Sequence, residues 1–378
     1  PLPQPPPPPT PTRHSTRRQR QMCIRDRYQP IKCQKLERLP KEIAVDNISF
    51  KAMVVSELSD KQFIREIKQK QIEDLPAGDV LINVQYSSLN YKDALSASGN
   101  KGVTKKYPHT PGIDAAGVVA ESTNPEFEPG EQVLVTGYDL GMNTSGGYAE
   151  YIRVPAHWVV KLPENLSLRE SMIYGTAGFT AALSCFKLIN SGVTPDKGPV
   201  LVTGATGGVG SIALSILVKS GYDVVAVNGI IDEADYLLEL GAKEVISIDE
   251  ADDQSGRPLL RPRWAGAIDT VAGNILSTAI KATLYGGSVT CCGNVGAAEL
   301  HSSIYPFIIN GVTLLGIDSV NCPVDMRMKV WNKVAADWKL DRLEKITTEL
   351  PTQEALEERI ALILEGKNRG RAIVKVAG

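Results

Sequence analysis

The sequence lacks the cysteine and histidine patterns that build metal sites and disulfide frameworks. Its 378 residues include six cysteines and four histidines. No cysteines have the paired spacing that encloses zinc, and they are too sparse for a secreted disulfide scaffold. We therefore expect reduced thiols and no bound metal. Cys291 and Cys292 end an apolar stretch beside Gly293, which favours a packing role over a redox role.

Long apolar runs and an excess of basic residues are also missing. No run reaches the roughly 18 apolar residues of a membrane span, and the chain does not start with the apolar core of a signal peptide. The formal net charge is −2, but residues 1–48 hold 10 basic and 4 acidic residues, which leaves 31 basic and 39 acidic residues elsewhere. The acidic remainder has no basic surface for nucleic acid. We expect a cytoplasmic protein that binds neither nucleic acid nor a membrane.

The first 48 residues differ from the rest of the chain. Residues 1–12 are mostly proline, which cannot pack a core. Residues 17–27, Arg-Arg-Gln-Arg-Gln-Met-Cys-Ile-Arg-Asp-Arg, resemble a translated adapter from sequencing-library preparation. We therefore expect residues 1–48 to be a disordered leader that arose as an assembly or cloning artefact. The alternative is a basic arm for nucleic acid or a membrane, but the run lacks interleaved aromatics and an apolar face.

The remaining sequence is divided into two predicted domains. Apolar residues make up 43% of the chain, and its length suggests two domains. Residues 49–170 contain strand-like segments separated by turns, which predicts a β-rich domain. Residues 171–320 alternate strands with helices, which predicts a doubly wound parallel sheet. Residues 321–378 end in a strand that we expect to return to the first domain, and the cleft between the domains is the natural substrate site.

One glycine-rich segment indicates a function. Residues 200–210 read Val-Leu-Val-Thr-Gly-Ala-Thr-Gly-Gly-Val-Gly, so that a buried strand runs into a turn and the apolar period then becomes helical. A pyrophosphate needs bare N–H groups at the start of a helix, and side chains at Gly204, Gly207 and Gly210 would keep it away. The segment therefore predicts a dinucleotide site. A tight packing turn between strand and helix is the alternative.

The next predicted strand, residues 223–227, leads to the position where a dinucleotide fold meets the adenosine ribose. An acidic residue there would bind both ribose hydroxyls and favour NAD. Asn228 carries no charge and does not repel a 2′-phosphate, whereas Ile230 offers no cation to hold one. The residues favour NADPH mildly and do not exclude NADH.

Six motifs between residues 50 and 376 point to one family. They are residues 87–95 (Ser-Ser-Leu-Asn-Tyr-Lys-Asp-Ala-Leu), 111–117 (Pro-Gly-Ile-Asp-Ala-Ala-Gly), 175–181 (Gly-Thr-Ala-Gly-Phe-Thr-Ala), 202–210, 264–271 (Trp-Ala-Gly-Ala-Ile-Asp-Thr-Val) and 316–320 (Gly-Ile-Asp-Ser-Val). Together they resemble the medium-chain dehydrogenase/reductase superfamily, and more closely its acrylyl-CoA reductase branch, formerly described as quinone oxidoreductases. The resemblance implies an α/β fold in which a doubly wound parallel Rossmann sheet accompanies a β-rich GroES-like catalytic domain.

The same resemblance bears on zinc. The zinc alcohol dehydrogenases of the superfamily have a cysteine where Asn90 stands, and Gly-His-Glu where this chain has Gly112, Ile113 and Asp114. Neither Asn nor Ile can replace a thiolate or an imidazole on zinc. The four-cysteine structural zinc lobe is also absent from the sequence. The resemblance therefore implies a zinc-independent reductase whose acceptor is already activated.

The acrylyl-CoA reductase branch implies a specific reaction. NADPH delivers hydride to the β-carbon of acryloyl-CoA, hydrogen bonds stabilise the enolate-like intermediate, and a proton at the α-carbon completes propionyl-CoA. A broad NADPH:quinone oxidoreductase is the alternative among enzymes. A catalytically idle NADPH-binding scaffold is the alternative of another class.

The resemblance also assigns site residues. It places Tyr91 and Asn90 at the catalytic centre, with Tyr91 against the nicotinamide end of the cofactor. A packed aromatic is the alternative for Tyr91, and Asp93 is expected to cap a helix. The other implied cofactor contacts are Thr206, Gly207, Gly208, Val209, Asn228, Gly229, Ile230, Asn294, Ile308 and Ser319.

Two departures from the family concern the adenosine 2′-phosphate. The family usually has a basic residue where Ile230 stands, and often another near Ile248. Losing a bidentate guanidinium contact to phosphate removes roughly 1.5–3 kcal/mol. Lys243 is a candidate substitute by its order in the sequence.

An apolar edge strand predicts the oligomeric state. Residues 312–317, Val-Thr-Leu-Leu-Gly-Ile, are expected at the edge of the dinucleotide sheet. An exposed edge of this kind tends to pair with its symmetry mate. We therefore expect a homodimer.

Overall fold

Alternating apolar residues in the first part of the folded chain build mainly antiparallel strands. The computed structural model describes residues 48–59, 61–229 and 233–377. The expected leader lies outside these residues except for its last position. The first elements are β1 (Ser49–Ser59), β2 (Gln62–Gln71), β3 (Val80–Leu89), α1 (Tyr91–Ala97), β4 (Asp114–Ser122), β5 (Gln132–Thr136), β6 (Tyr151–Val154) and β7 (Val159–Lys161). β1 and β2 form a hairpin, and β3 is the centre of a larger sheet.

Strands and helices alternate in the middle of the chain. The elements are α2 (Leu168–Asn190), β8 (Val200–Val202), α3 (Gly208–Lys219), β9 (Val224–Asn228), α4 (Ala234–Glu239), β10 (Glu244–Ser247), α5 (Ile248–Ala251), β11 (Trp264–Asp269), α6 (Gly273–Lys281), β12 (Thr283–Cys291), α7 (Tyr305–Asn310) and β13 (Thr313–Gly316). The strands are all parallel, in the order β10-β9-β8-β11-β12-β13. This confirms the predicted doubly wound sheet. The strand order reverses between β8 and β11, and ligands of such sheets bind at the carboxyl ends of the strands there.

The end of the chain returns to the first sheet. Its elements are α8 (Val324–Ala335), β14 (Thr347–Leu350), α9 (Leu356–Leu364) and β15 (Arg371–Lys375). The sheet order is β14-β15-β3-β4-β5-β7, and β6 also pairs with β3. β15 runs antiparallel to β3, with Ala372 opposite Leu89. The last strand therefore brings the residues around 371 next to the start of α1.

The long helix α2 forms the core between the two sheets. Its buried residues share one hydrophobic cluster with Leu134 of the first sheet and Val202 of the second. It is the one helix, within the described residues, that is long and apolar enough to cross a membrane, and 78% of its apolar window is buried inside the protein. A helix that is apolar on most sides is here a core helix.

Gly175, the eighth residue of α2, interrupts the helix after about two turns. Its φ of 50° and ψ of −156° are non-helical, and glycine adopts a positive φ without the steric cost of a side chain. A Cβ on Gly175 would fall among the polar atoms of Asp114 and Ser88. The break leaves the N–H of Thr176 free to donate to Asp114 Oδ2 at 2.9 Å. The kink thus ties the second segment of α2 to β4.

Candidate active site

The glycine turn between β8 and α3 forms an anion cradle. Gly204 has a φ of +57°, which glycine adopts readily. A Cβ on Gly210 would overlap the carbonyl oxygen of Gly204 and lie 2.7 Å from the Cα of Ala205, so this position needs glycine for close packing. Gly207 precedes α3 and supplies no side-chain cap. The first-turn N–H groups and the positive helix end therefore suit a pyrophosphate.

A buried carboxylate holds this turn at the switch point of the sheet. Thr203 Oγ1 donates to Asp269 Oδ1 at 2.8 Å, and the N–H of Ala272 donates to Asp269 Oδ2 at 2.8 Å. Thr270 Oγ1 donates to the carbonyl of Thr203 at 2.9 Å. Burial raises the pKa of Asp269, although these hydrogen bonds act in the opposite direction. Sequence reasoning missed Asp269, for which the signal is an acid ending an otherwise apolar strand.

The C-terminal segment packs against the same turn. The N–H of Gly370 donates to the carbonyl of Thr206 at 2.8 Å. A Cβ on Gly208 would lie 3.1 Å from Cδ and Nη1 of Arg371, so the Arg371 side chain lies directly beneath the start of α3. Residues 206–209, which were predicted as cofactor contacts, lie together in this turn.

Asn90, the N-cap residue of α1, has both ends of its amide engaged in hydrogen bonds. Nδ2 donates to Asp93 Oδ2 at 3.1 Å and to Asp114 Oδ2 at 2.8 Å. Oδ1 accepts from Arg371 Nη1 at 3.2 Å. Asn90 is only 8% exposed. Because neither amide hydrogen is left for a substrate, we interpret Asn90 as a positioning residue.

Asp93 ties α1 to the segment before β4. Its Oδ2 accepts from the N–H of Asn90 at 2.8 Å, which is the predicted helix cap. Its Oδ1 accepts from the N–H of Gly112 at 3.1 Å and from that of Ile113 at 2.8 Å. Burial, followed by the charge of Asp114, raises the pKa of Asp93 to about 7, against the effect of the hydrogen bonds. The carboxyl therefore fixes the position of Asn90.

Asp114 and Arg371 form the centre of the buried network. Asp114 has no exposed surface, and Thr176 Oγ1 donates to its Oδ1 at 2.6 Å. Arg371 Nη2 is 3.9 Å from Asp114 Oδ2 and has no hydrogen-bond partner. Arg371 Nε donates to the carbonyl of Ile173 at 2.8 Å. Burial lowers the pKa of Arg371, while the nearby carboxylates act to raise it.

Asn90 and Ile113, which the resemblance places at two zinc-ligand positions, do not fit a zinc ion. The amide of Asn90 and the carboxylate of Asp114 are committed to hydrogen bonds. Ile113 has no donor atom in its side chain. Within the described ranges, no group of three or more His, Cys, Asp or Glu side chains is arranged to hold a metal.

The other residues predicted at the site are spread along the carboxyl edge of the sheet and beyond it. Tyr91 begins α1 and is 40% exposed, so its ring is not packed in the core. Asn228 ends β9 and is followed by Gly229. Ile230 lies outside the described residues.

Three later positions have different surroundings. Asn294 is exposed in the loop after β12. The hydroxyl of Ser319 accepts from Thr180 Oγ1 at 2.8 Å. Ile308 is 67% exposed on α7, in a surface that also includes Ile309, and not in the glycine turn.

Lys243 does not lie where the sequence order suggested. It precedes β10, and its ammonium pairs with Asp223, which precedes β9. Asn228 is at the other end of β9, opposite Ser247. Lys243 is therefore at the amino edge of the sheet, whereas the cradle is at the carboxyl edge. The prediction that Lys243 replaces the missing phosphate-binding cation is therefore wrong.

A cavity of about 770 Å³ adjoins the carboxyl ends of β12 and β13. Cys291, Cys292 and Cys322 are among its lining residues, and all three are free thiols. Burial raises the pKa of Cys292 to about 12. Since the thiolate is the reactive form, this burial disfavours a redox role for Cys292. The environment agrees with the predicted packing role.

Comparisons with known proteins agree with this geometry. Residues 76–164 match the family model described as alcohol dehydrogenase GroES-like domain, and residues 208–336 match the one described as zinc-binding dehydrogenase. The chain is 48% identical over 310 residues to YhfP of Bacillus subtilis (strain 168), which is named as a quinone oxidoreductase; the match covers 82% of this chain and 94% of YhfP. It is 44% identical over 310 residues to the acrylyl-CoA reductase AcuI of Ruegeria pomeroyi, with the same coverage of 82% and 94%.

Solved structures give the same result. The yhdH oxidoreductase of Salmonella enterica in complex with NADP superposes with a TM-score of 0.84 at 41% identity, covering 86% of this chain and 100% of that one. The structure of Bacillus subtilis yhfP with NAD bound has a TM-score of 0.84 at 46% identity, covering 87% and 99%. Both nicotinamide dinucleotides thus occur among proteins similar to this chain.

Proposed function

The chain belongs to the medium-chain dehydrogenase/reductase superfamily of oxidoreductases, and on that basis we propose that it reduces acryloyl-CoA to propionyl-CoA with NADPH. Hydride goes to the β-carbon and a solvent-derived proton to the α-carbon, so that one double bond is consumed. The observation that carries the proposal is the pair Asn90 and Ile113 at two zinc-ligand positions of the resembling alcohol dehydrogenases, with the amide of Asn90 committed to Asp93 and Asp114. The 44% identity to an acrylyl-CoA reductase supports it.

The glycine cradle suits the cofactor. Bound NADPH would supply the hydride. Residues 206–209 would hold its pyrophosphate through the N–H groups at the start of α3. Arg371, beneath Gly208, adds a positive charge close to the same phosphates. Tyr91 would lie against the nicotinamide end, since its ring is exposed at the start of α1.

The side chains at the site favour a hydride acceptor that is already activated without a metal. Asn90 and Ile113 cannot hold the Lewis acid that polarises a simple alcohol or aldehyde. A double bond conjugated to a thioester needs no such metal, because the thioester carbonyl takes up the developing negative charge. Hydrogen bonds would then stabilise the negative charge on that oxygen. The proposed reaction is therefore zinc-independent.

A broad NADPH:quinone oxidoreductase is the second candidate. The 48% identity to YhfP, which is named as a quinone oxidoreductase, favours it. A quinone is also activated without a metal and would use the same cradle. A catalytically idle NADPH-binding scaffold remains the third.

Acceptor kinetics test these candidates. NADPH oxidation by the full chain is followed with acryloyl-CoA, with 1,4-benzoquinone and with an unconjugated acyl-CoA as the matched control. We expect kcat/KM for acryloyl-CoA to exceed that for the quinone and the unconjugated acyl-CoA to be inert. Activity with the quinone alone would contradict the proposal and support the second candidate. NADPH binding without turnover of either acceptor would support the scaffold.

We also propose a cytoplasmic homodimer. β13 is the last strand in the sheet order, and its outer edge is unpaired within the described residues. Beside it, Ile304, Ile308 and Ile309 are each more than half exposed. Pairing of β13 with its symmetry mate would cover this apolar surface.

A further inference from the structure

The described residues next to the adenosine end of the dinucleotide site in the sequence do not supply the expected cation for a 2′-phosphate. Asn228 is neutral, and Ile248 lies beside Gly229, 3.7 Å from the position of an added Cβ. Lys243 is paired with Asp223 at the opposite edge of the sheet. A 2′-phosphate carries up to two negative charges, so NADPH needs another cation near this point.

The C-terminal segment brings Arg369 to this edge. The N–H of Gly370 binds the carbonyl of Thr206 in the glycine cradle at 2.8 Å, which fixes the segment beside α3. Arg369 Nη1 pairs with Glu233 at 3.1 Å, and Glu233 is the residue from which α4 starts. The ion pair between Arg369 and Glu233 therefore connects the N-terminal end of α3 with that of α4.

The Arg369 side chain is oriented but still accessible. Its guanidinium carbon lies 4.9 Å from the centre of the Tyr236 ring, and Tyr236 is buried on α4. Stacking on an aromatic face preorganises a guanidinium, which then loses less entropy on binding. The Arg369 side chain is 53% exposed and its partner Glu233 is 22% exposed. A solvent-exposed pair of this kind contributes little to stability, so a ligand with more charge can displace it.

We propose that Arg369 binds the adenosine 2′-phosphate of NADPH, exchanging the Glu233 carboxylate for the phosphate. The inference rests on the proposed use of NADPH. Arg369 thus supplies, from the far end of the chain, the cation that Ile230 and Ile248 do not. Glu233 has the opposite effect, because its negative charge remains near the phosphate and weakens the preference for NADPH over NADH.

Ligand binding, not turnover, tests this role. The full chain is titrated in a calorimeter with NADPH, NADH, adenosine 2′,5′-bisphosphate and adenosine 5′-monophosphate. Arg369→Ala should weaken binding of the two 2′-phosphorylated ligands about tenfold and change the other two less than about twofold. Glu233→Gln should tighten the 2′-phosphorylated ligands alone. Lys367→Ala is the matched control, since Lys367 is an adjacent exposed cation that pairs with Glu365.

The outcomes separate this inference from the proposed function. Equal weakening of all four ligands by Arg369→Ala would show a structural role and overturn the inference. Unchanged affinity for NADPH would place the phosphate elsewhere and also overturn it. Both results leave the proposed reaction standing. Wild-type protein that binds neither dinucleotide would overturn the proposed function and the inference together. Partial recovery by Arg369→Lys would support a charge contact.

Discussion

Gly210→Ala should disrupt the cradle, and the size of the effect follows from its surroundings. The new Cβ would stand 2.7 Å from the Cα of Ala205, which is 0.7 Å short of the 3.4 Å at which ordinary contact begins, and it would also overlap the carbonyl of Gly204. All of these neighbours are backbone atoms, so the start of α3 must move. Overpacking of this kind costs about 1–3 kcal/mol, and the displaced N–H groups at the start of α3 should bind a dinucleotide more weakly.

Thermal unfolding and dinucleotide titration measure both effects. We expect Gly210→Ala to lower Tm by about 1–6 °C, given about 1–2 °C for each kcal/mol in a chain of this size. Gly207→Ala is the matched control, because its Cβ would be 3.4 Å from the carbonyl of Gly204 and its φ is −79°. It should keep the Tm and lose only dinucleotide affinity. A Gly210→Ala protein with wild-type Tm and affinity would refute the reasoning.

Two other predictions concern pH and assembly. Burial and Asp114 raise the pKa of Asp93 from 3.8 to about 7, so the folded state keeps a proton that the unfolded chain releases. Because of this carboxyl, the free energy of unfolding should fall by about 2 kcal/mol as the pH rises from 5 to 7. Denaturant unfolding of Asp93→Asn should lack this pH-dependent loss. An Asp93→Asn protein with the wild-type pH dependence would contradict the assignment. Ile309→Lys should convert a homodimer to a monomer in light scattering, whereas a monomeric wild type would refute the proposed dimer.

Local patterns in the sequence predicted the features of the structure that depend on neighbouring residues. The strand, glycine turn and helix of residues 200–219 are contiguous, so their period and their glycines indicate the cradle directly. The predicted position of Lys243 was wrong because it depends on the direction of the strand that follows, and not on the order of residues alone. A residue that precedes a parallel strand lies at the amino edge, and this rule alone would have excluded Lys243.

The buried network could not be predicted in the same way. Asn90 and Arg371 are 281 positions apart and meet only because β15 pairs with β3. Their interaction depends on the register of that pairing, which no local pattern specifies. Asp93 was recognisable as a cap, since it follows Asn90 by three residues, but its contacts with the segment before β4 were not. Long-range polar pairs of this kind follow from topology.

The same network explains how the fold accommodates the fully buried acid Asp114. A carboxylate with no exposed surface is costly unless donors and a cation surround it. Asp114 receives hydrogen bonds from Ser88, Asn90 and Thr176, and the guanidinium of Arg371 is 3.9 Å away. Because the side chain of Arg371 also lies against Gly208 of the cradle, one buried cation joins β4 of the first sheet to the glycine cradle. The charge of Asp114 is thus balanced by an arginine from the last strand of the chain.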